Sequence, residues 1–191
     1  QVRPPEIRIP TAAERAWRLR AAGRVLRPII LPALFTGLRK MAIMHLTAED
    51  LTARPGRIRA QDEKGRKTVW IPVVPTLATT LSALRVKEGP LFRWEDGQPM
   101  HRFPWKRWVK ARTTAGLPWL RFHDLRHTVG ELLAEEGVPL RLIQEFLGHS
   151  SSRVTERYTK PREAAMDEVA RTLDRTYRAQ NRRIRQRRPP R

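Results

Sequence analysis

Apolar and polar positions along the chain change period several times, and those changes set the expected architecture. Residues 1–10, QVRPPEIRIP, hold three prolines and no period, and they read as an extended lead-in. Thr11 followed by Glu14 has the spacing of a capping box, which predicts a helix over 12–22 with Gly23 as its stop. Residues 25–46 are largely apolar and predict further helix. Pro28 suits a first turn there, whereas the pattern offers no account of Pro32. The period then shortens. Residues 57–61 and 68–74, rich in β-branched and aromatic side chains, flank the polar Asp62-Glu63-Lys64-Gly65-Arg66-Lys67 and predict a β-hairpin. Helical spacing returns over 75–87, 100–115, 123–136, 140–146 and 162–179, with a short strand expected at 91–94. Gly137 and Gly148 stand where helices should end. The predicted fold is mainly α with a small antiparallel β-sheet (α+β). Residues 178–191 are dominated by arginine, and they are expected to be disordered alone and able to bind phosphates.

Charge narrows the choice of partner. The 191 residues are 40% hydrophobic, enough for one ordinary domain with a real core. Lys and Arg number 39 against 19 Asp and Glu, a net charge of +20. That excess implies a polyanionic partner, nucleic acid first and an acidic membrane surface second. Charge alone also fits a merely basic protein of ribosomal type. The absence of cysteine excludes disulfides and thiolate metal sites and is compatible with a reducing compartment. No apolar run has the length of a membrane span, and the longest, 29–35, is broken by Pro32. The first ten residues lack the apolar centre of a signal peptide. The chain starts at Gln1 rather than Met, as expected of a piece of a longer protein.

Candidate chemistry gathers in the second half. His123 and His127 are four apart, a spacing that suits metal ligands. The residue after His123 is Asp124, however, and the rest of a zinc-protease pattern is missing, so no metal is expected. There is no Gly-rich phosphate loop, so no nucleotide cofactor is expected either. His123 and Arg126, three apart, would sit side by side on a helix, a proton acceptor next to an oxyanion clamp. Gly148-His149-Ser150 follows an apolar helix end, and Tyr158 comes nine residues after His149. Singly, each residue also fits an ordinary role: a capping histidine, a surface ion pair, a half-buried tyrosine.

In order, however, His-Asp-Leu-Arg-His-Thr from His123, Leu-Gly-His-Ser-Ser from Leu147 and Tyr158-Thr159 resemble the signature of the tyrosine recombinases, the phage-integrase family. Thr36-Gly37-Leu38-Arg39 resembles the motif bearing that family's first catalytic arginine. The hairpin from Lys64-Gly65-Arg66-Lys67 to Ile71-Pro72 resembles the turn bearing its catalytic lysine. The resemblance implies the family's catalytic-domain fold over 11–165, followed by a C-terminal helix and Arg-rich tail over 166–191. It implies that Arg39 and Arg126 hold a scissile phosphate, His123 serves as base, His149 adds a donor and Tyr158 is the nucleophile. Lys64 would be the general acid, with Lys67 as the fallback. It further implies DNA cleavage and rejoining through a 3′-phosphotyrosine, without metal or cofactor. The implied partner is double-stranded DNA, bound by a homo-oligomer (a tetrameric synapse, with a monomer in solution), in the cytoplasm of a bacterium or phage host.

The family's acidic residue three positions after the first arginine is replaced by Ala42, with Glu49 or Asp50 as candidates to compensate. The family's usual N-terminal helical domain has no counterpart here. The helix over 162–179 would, by resemblance, dock on a neighbouring protomer; its own pattern fits packing on its own domain equally well. Two other readings are a DNA-binding module with weak or lost catalysis and a type IB topoisomerase-like enzyme. The spacing from Leu147-Gly148-His149 to Tyr158 favours recombination over the latter.

Contacts to the DNA backbone are expected from Arg102, Lys106, Arg107, Arg121, Arg153 and Arg157; Lys106 and Arg107, between Trp105 and Trp108, are followed by Lys110 and Arg112. Trp105 and Trp108 share a helix face, expected to be core rather than a base-stacking surface.

Overall fold

The computed structural model describes residues 10, 11, 14, 22–61, 68–148 and 159–186, apart from the side chains at 159–162, 184 and 185. The predicted capping box is closed at its two described residues. The Thr11 N–H donates to Glu14 Oε2 at 2.7 Å, and the Glu14 N–H to Thr11 Oγ1 at 3.3 Å.

Most of the helix predicted over 12–22 lies outside the described residues; Gly23, left-handed at φ 61°, is the first residue of α1, which spans Gly23–Thr36. Pro28 and Pro32 both lie inside it, beyond its first turn, which corrects the placement expected for Pro28. One turn apart, they remove two rungs of the i→i−4 ladder from a single strip of the helix. Both rings are buried, together with Leu26, Ile29, Ile30 and Leu34. Apolar burial along this strip offsets the missing bonds. The helix does not continue to residue 46. Gly37 adopts φ 63°, its N–H caps the Ala33 carbonyl at 3.0 Å, and the chain breaks before α2 (Lys40–Met44) and α3 (Ala48–Thr52). Thr47 and Asp50 form a capping box that starts α3.

The hairpin pairs β1 (Arg57–Gln61) with β2 (Thr68–Pro72) in antiparallel register, Ile58 opposite Ile71 and Ala60 opposite Val69. Those four side chains face the core, while Arg59 and Trp70 lie on the other face. Next comes α4 (Pro75–Ser82), shorter than predicted, with Arg85 beyond it at φ 53°. The strand expected at 91–94 is reduced to isolated bridges, Thr47 with Pro90 and Arg93 with Pro99. Helix α5 (Trp105–Thr114) begins after Pro104 rather than at Met100, because a proline disfavours helical backbone in the residue before it. Helices α6 (Asp124–Glu135) and α7 (Leu140–Phe146) fall where the pattern put them, each followed by a left-handed glycine, Gly137 and Gly148.

The last helix, α8 (Thr159–Gln186), takes in 178–186, which were expected to be disordered. It packs against α1, α6, α7 and β2 of its own domain. Val169, Ala170, Leu173 and Tyr177 are buried, and the Tyr177 ring meets Phe35 edge-on at 5.0 Å. Arg57, itself buried, pairs with Asp167 at 2.7 Å, and Arg54 with Glu163 at 2.8 Å. Leu173→Ala is therefore expected to lower the unfolding free energy by about 2–4 kcal/mol. In urea denaturation the loss should not depend on protein concentration; a concentration-dependent loss would place this helix on another copy.

Candidate active site

The site is assembled at two helix ends. At the first, the left-handed Gly37 closes α1 and the backbone turns extended, so Arg39 stands at φ −67°, ψ 151° as the residue before α2. Thr36 steadies this exit. Its hydroxyl donates to the Pro32 carbonyl at 2.6 Å and accepts the Leu38 N–H at 3.1 Å. At the second, α7 ends at Leu147 and Gly148. Gly37 and Leu147 are in contact: a Cβ on Gly37 would fall 2.3 Å from Leu147 Cδ2.

Arg126, on α6, joins these two ends. It is 5% exposed, and its guanidinium donates from Nη1 to the Gly37 carbonyl at 2.6 Å and from Nη2 to the Leu147 carbonyl. One side chain thus fixes the backbone two residues before Arg39 and two residues before His149. Only a planar fork can span two carbonyls in this way, and the charge stays because a guanidinium does not deprotonate.

His123 is the residue before α6, and its ring makes no capping bond to the helix. The capping function falls instead to Asp124, whose buried carboxylate accepts the Arg121 N–H at 2.8 Å. The His123 ring stands edge-to-face with His127 at 4.9 Å. Its imidazole is held below the ordinary histidine range, first by partial burial and then by the charges of His127 and Arg126. Asp124 pulls the other way, and Arg39 adds to the lowering. Arg39, His123 and Arg126 therefore form one electrostatic cluster from two segments distant in sequence. A neutral imidazole beside two guanidinium groups suits proton removal next to a bound anion.

Lys64, His149 and Tyr158, with Arg153 and Arg157, lie outside the described residues, as does Lys67. Glu49 and Asp50 are occupied away from the Ala42 position. Glu49 accepts the Gly89 N–H at 3.0 Å, and Asp50 is held by Arg59 at 2.8 Å and by the Thr47 N–H at 2.9 Å. Among the described residues no group of three or more His, Asp or Glu side chains gathers as a metal site would require. Nor is any described helix long and apolar enough to cross a membrane.

The expected DNA-contact residues divide. Arg102, Lys106 and Lys110 are exposed. Arg107 is paired with Glu95 at 2.5 and 2.9 Å and lies over the Trp94 ring. Arg121 forks onto Asp124 at 2.8 and 3.1 Å. Arg112, which follows Lys110 on α5, donates to the Leu120 carbonyl at 2.9 Å. Trp108 is core, 1% exposed against Phe122, but Trp105 is 51% exposed, so the shared face is only half buried. The Gly37 and Leu147 carbonyls are site components that sequence reasoning missed. A glycine closing each helix was the available signal, but which side chain would seek those carbonyls was not.

Residues 9–165 match the phage integrase family, and the chain belongs to that family. Tyrosine recombinase XerC of Rickettsia canadensis (strain McKiel) is 38% identical over 132 residues, which cover 65% of this chain and 43% of that relative. The integrase from mycobacterium phage Brujita shares the fold with a TM-score of 0.70 at 24% identity, over 90% of this chain and 60% of that one. XerH, solved with its difH substrate in a pre-cleavage complex, shares it with a TM-score of 0.58 at 23% identity, over 86% and 55%. The chain thus spans less than half the length of its XerC relative.

The contact at the two helix ends is open to test. A non-glycine residue at the Gly37 backbone conformation costs about 1–2 kcal/mol before any clash. Gly37→Ala should therefore lower the urea midpoint, and adding Leu147→Ala to it should recover the part due to overlap but not the backbone part. Strictly additive losses in that double-mutant cycle would show that the two positions do not touch.

Proposed function

We propose that the chain is the catalytic domain of a site-specific DNA recombinase, cleaving and rejoining DNA through a covalent bond to Tyr158. The observation that carries this reading is the buried Arg126 guanidinium, which ties the Gly37 and Leu147 helix ends together three residues along α6 from His123. In this reading residues 11–165 are the catalytic domain, and 166–191 complete it as helix and tail. Arg39 and Arg126 hold the non-bridging oxygens of the scissile phosphate, where paired guanidinium donors best stabilise the charge of the transition state. His149 adds a third donor. Tyr158 Oη attacks phosphorus, and its proton passes to His123. The bond from phosphorus to the 5′-oxygen breaks, and Lys64 protonates that oxygen. The product is a 3′-phosphotyrosine and a free 5′-hydroxyl. Attack by a 5′-hydroxyl of a second duplex reverses the step and exchanges strands. The bond energy stays in the phosphodiester throughout, so the scheme calls for no metal or cofactor. Ala42 stands where the family usually carries an acidic residue.

Duplex DNA is the partner, supported by the net charge of +20 and by the DNA-bound complex of XerH, which has the same fold. Arg102, Lys106, Arg153 and Arg157 contact the backbone, with smaller contributions from the internally paired Arg107 and Arg121. The working assembly is a homo-oligomer on DNA, a tetrameric synapse formed from monomers, in the cytoplasm.

The reading is tested by trapping. Nicked duplexes carrying candidate attachment sites should yield a protein–DNA adduct on a denaturing gel, and Tyr158→Phe should abolish it. Failure to form an adduct on DNA that the protein binds would leave a binding module instead.

The pH dependence is a second test. His123 must be neutral to accept the proton, and its pKa lies below the ordinary 6.5. Adduct formation should therefore persist on acidification to pH 6.5 and fall below it, and His123→Gln should be slow at every pH without that acid limb. A limb centred above 6.5 would assign it to another group.

A further inference from the structure

Trp105 is half exposed in a protein that buries Trp108, three residues on, to 1%. Its surroundings are specific. The Lys40 Nζ lies 5.7 Å from the Trp105 ring centroid and 5.5 Å from that of Phe103. Phe103 meets Trp105 edge-on at 5.9 Å and Phe122 at 4.8 Å, so the exposed indole is braced from the core side. Lys40 directly follows Arg39, and Met41 beside it is 45% exposed. The two chain segments that meet here carry no acidic residue: none from 15 to 48 and none from 97 to 123. An ammonium near two rings and next to Arg39, where two segments without acidic residues meet, is matched by a ligand that alternates anionic and apolar groups.

We propose that Trp105 and Lys40 form a nucleotide platform flanking the phosphate gripped by Arg39. The indole packs on the deoxyribose of the neighbouring nucleotide, and the Lys40 ammonium takes that nucleotide's phosphate. The proposal rests on the DNA reading above and adds a contact that Arg39, His123 and Arg126 do not make. It also divides the labour chemically: the apolar contact is insensitive to salt, whereas the Lys40 contact releases a counterion.

The test is fluorescence anisotropy with a fluorescein-labelled random-sequence duplex across a salt series, using the whole chain. Trp105→Ala should weaken binding by roughly five- to thirty-fold at fixed salt, from lost apolar burial, and leave the slope of log affinity against log salt unchanged. Lys40→Gln should flatten that slope by about one. Trp105→Ala is expected to melt with the unaltered chain. If it melts earlier, Trp105→Phe, which keeps a ring against Phe103, carries the test with an intermediate loss. Unchanged affinity in the Trp105 variants, while the unaltered chain binds, overturns the platform and leaves the DNA reading standing. Failure of the unaltered chain to bind the duplex overturns both. Competition by polyglutamate that depends equally on Trp105 would make this face a dock for acidic protein and overturn the platform as well.

Discussion

A buried guanidinium held by two backbone carbonyls is the constraint on which the rest of the site depends. Arg126 is almost fully removed from water, and the Gly37 and Leu147 carbonyl dipoles supply part of the solvation it gives up. In such a place its charge is weakly screened, so it acts on its neighbours more strongly than a surface arginine does. His123, already held below the ordinary histidine range by its own burial and by His127, is lowered further by that field. The carbonyls also set direction. Both belong to residues where a helix has just ended, so both are free of the helix ladder and available to an outside donor. The exit of α1, and with it Arg39, is fixed by the same side chain that fixes the exit of α7.

Much of this was legible in sequence because helix ends carry strong local signals. The boundaries of α6 and α7 follow from apolar period closed by Gly137 and Gly148, and the hairpin follows from a change of period around a polar turn. Thr36-Gly37-Leu38-Arg39 was legible only through its resemblance to a family motif, because the apolar pattern ran on through Gly37, where the left-handed backbone in fact ends α1. What sequence could not supply were features decided by tertiary packing. Pro28 and Pro32 sit inside α1 because the strip they interrupt is buried. Residues 178–186 are helical although their composition alone suggests a solvated tail; the packing of Tyr177 on Phe35 anchors the helix just before them. Trp105 and Trp108 have opposite exposures because α5 turns only part of that face inward.

The net charge illustrates the same division. A count of cations identifies a polyanionic partner but not which cations meet it. Arg54, Arg57, Arg59, Arg107 and Arg121 are engaged with carboxylates, and Arg112 and Arg126 with backbone carbonyls. Arginine here is as much an internal strut as a surface charge. Its fork reaches loops and helix ends that a lysine would meet at a single point.

The ion pairs between the root of the hairpin and the start of α8 carry a consequence for modularity. Arg57 reaches Asp167 with little solvent around it, and the more open Arg54 draws the Glu163 carboxyl below its usual range. Removing Asp167 strands the charge of the buried Arg57, a larger penalty than the pair's own worth. The C-terminal helix is therefore not an interchangeable cassette. A chimera that grafted a relative's helix onto this domain would have to bring acidic residues at the positions of Glu163 and Asp167, or change Arg54 and Arg57 with it. Exchange of parts between members of this family and this chain is constrained to cut elsewhere than between the hairpin and the helix it holds.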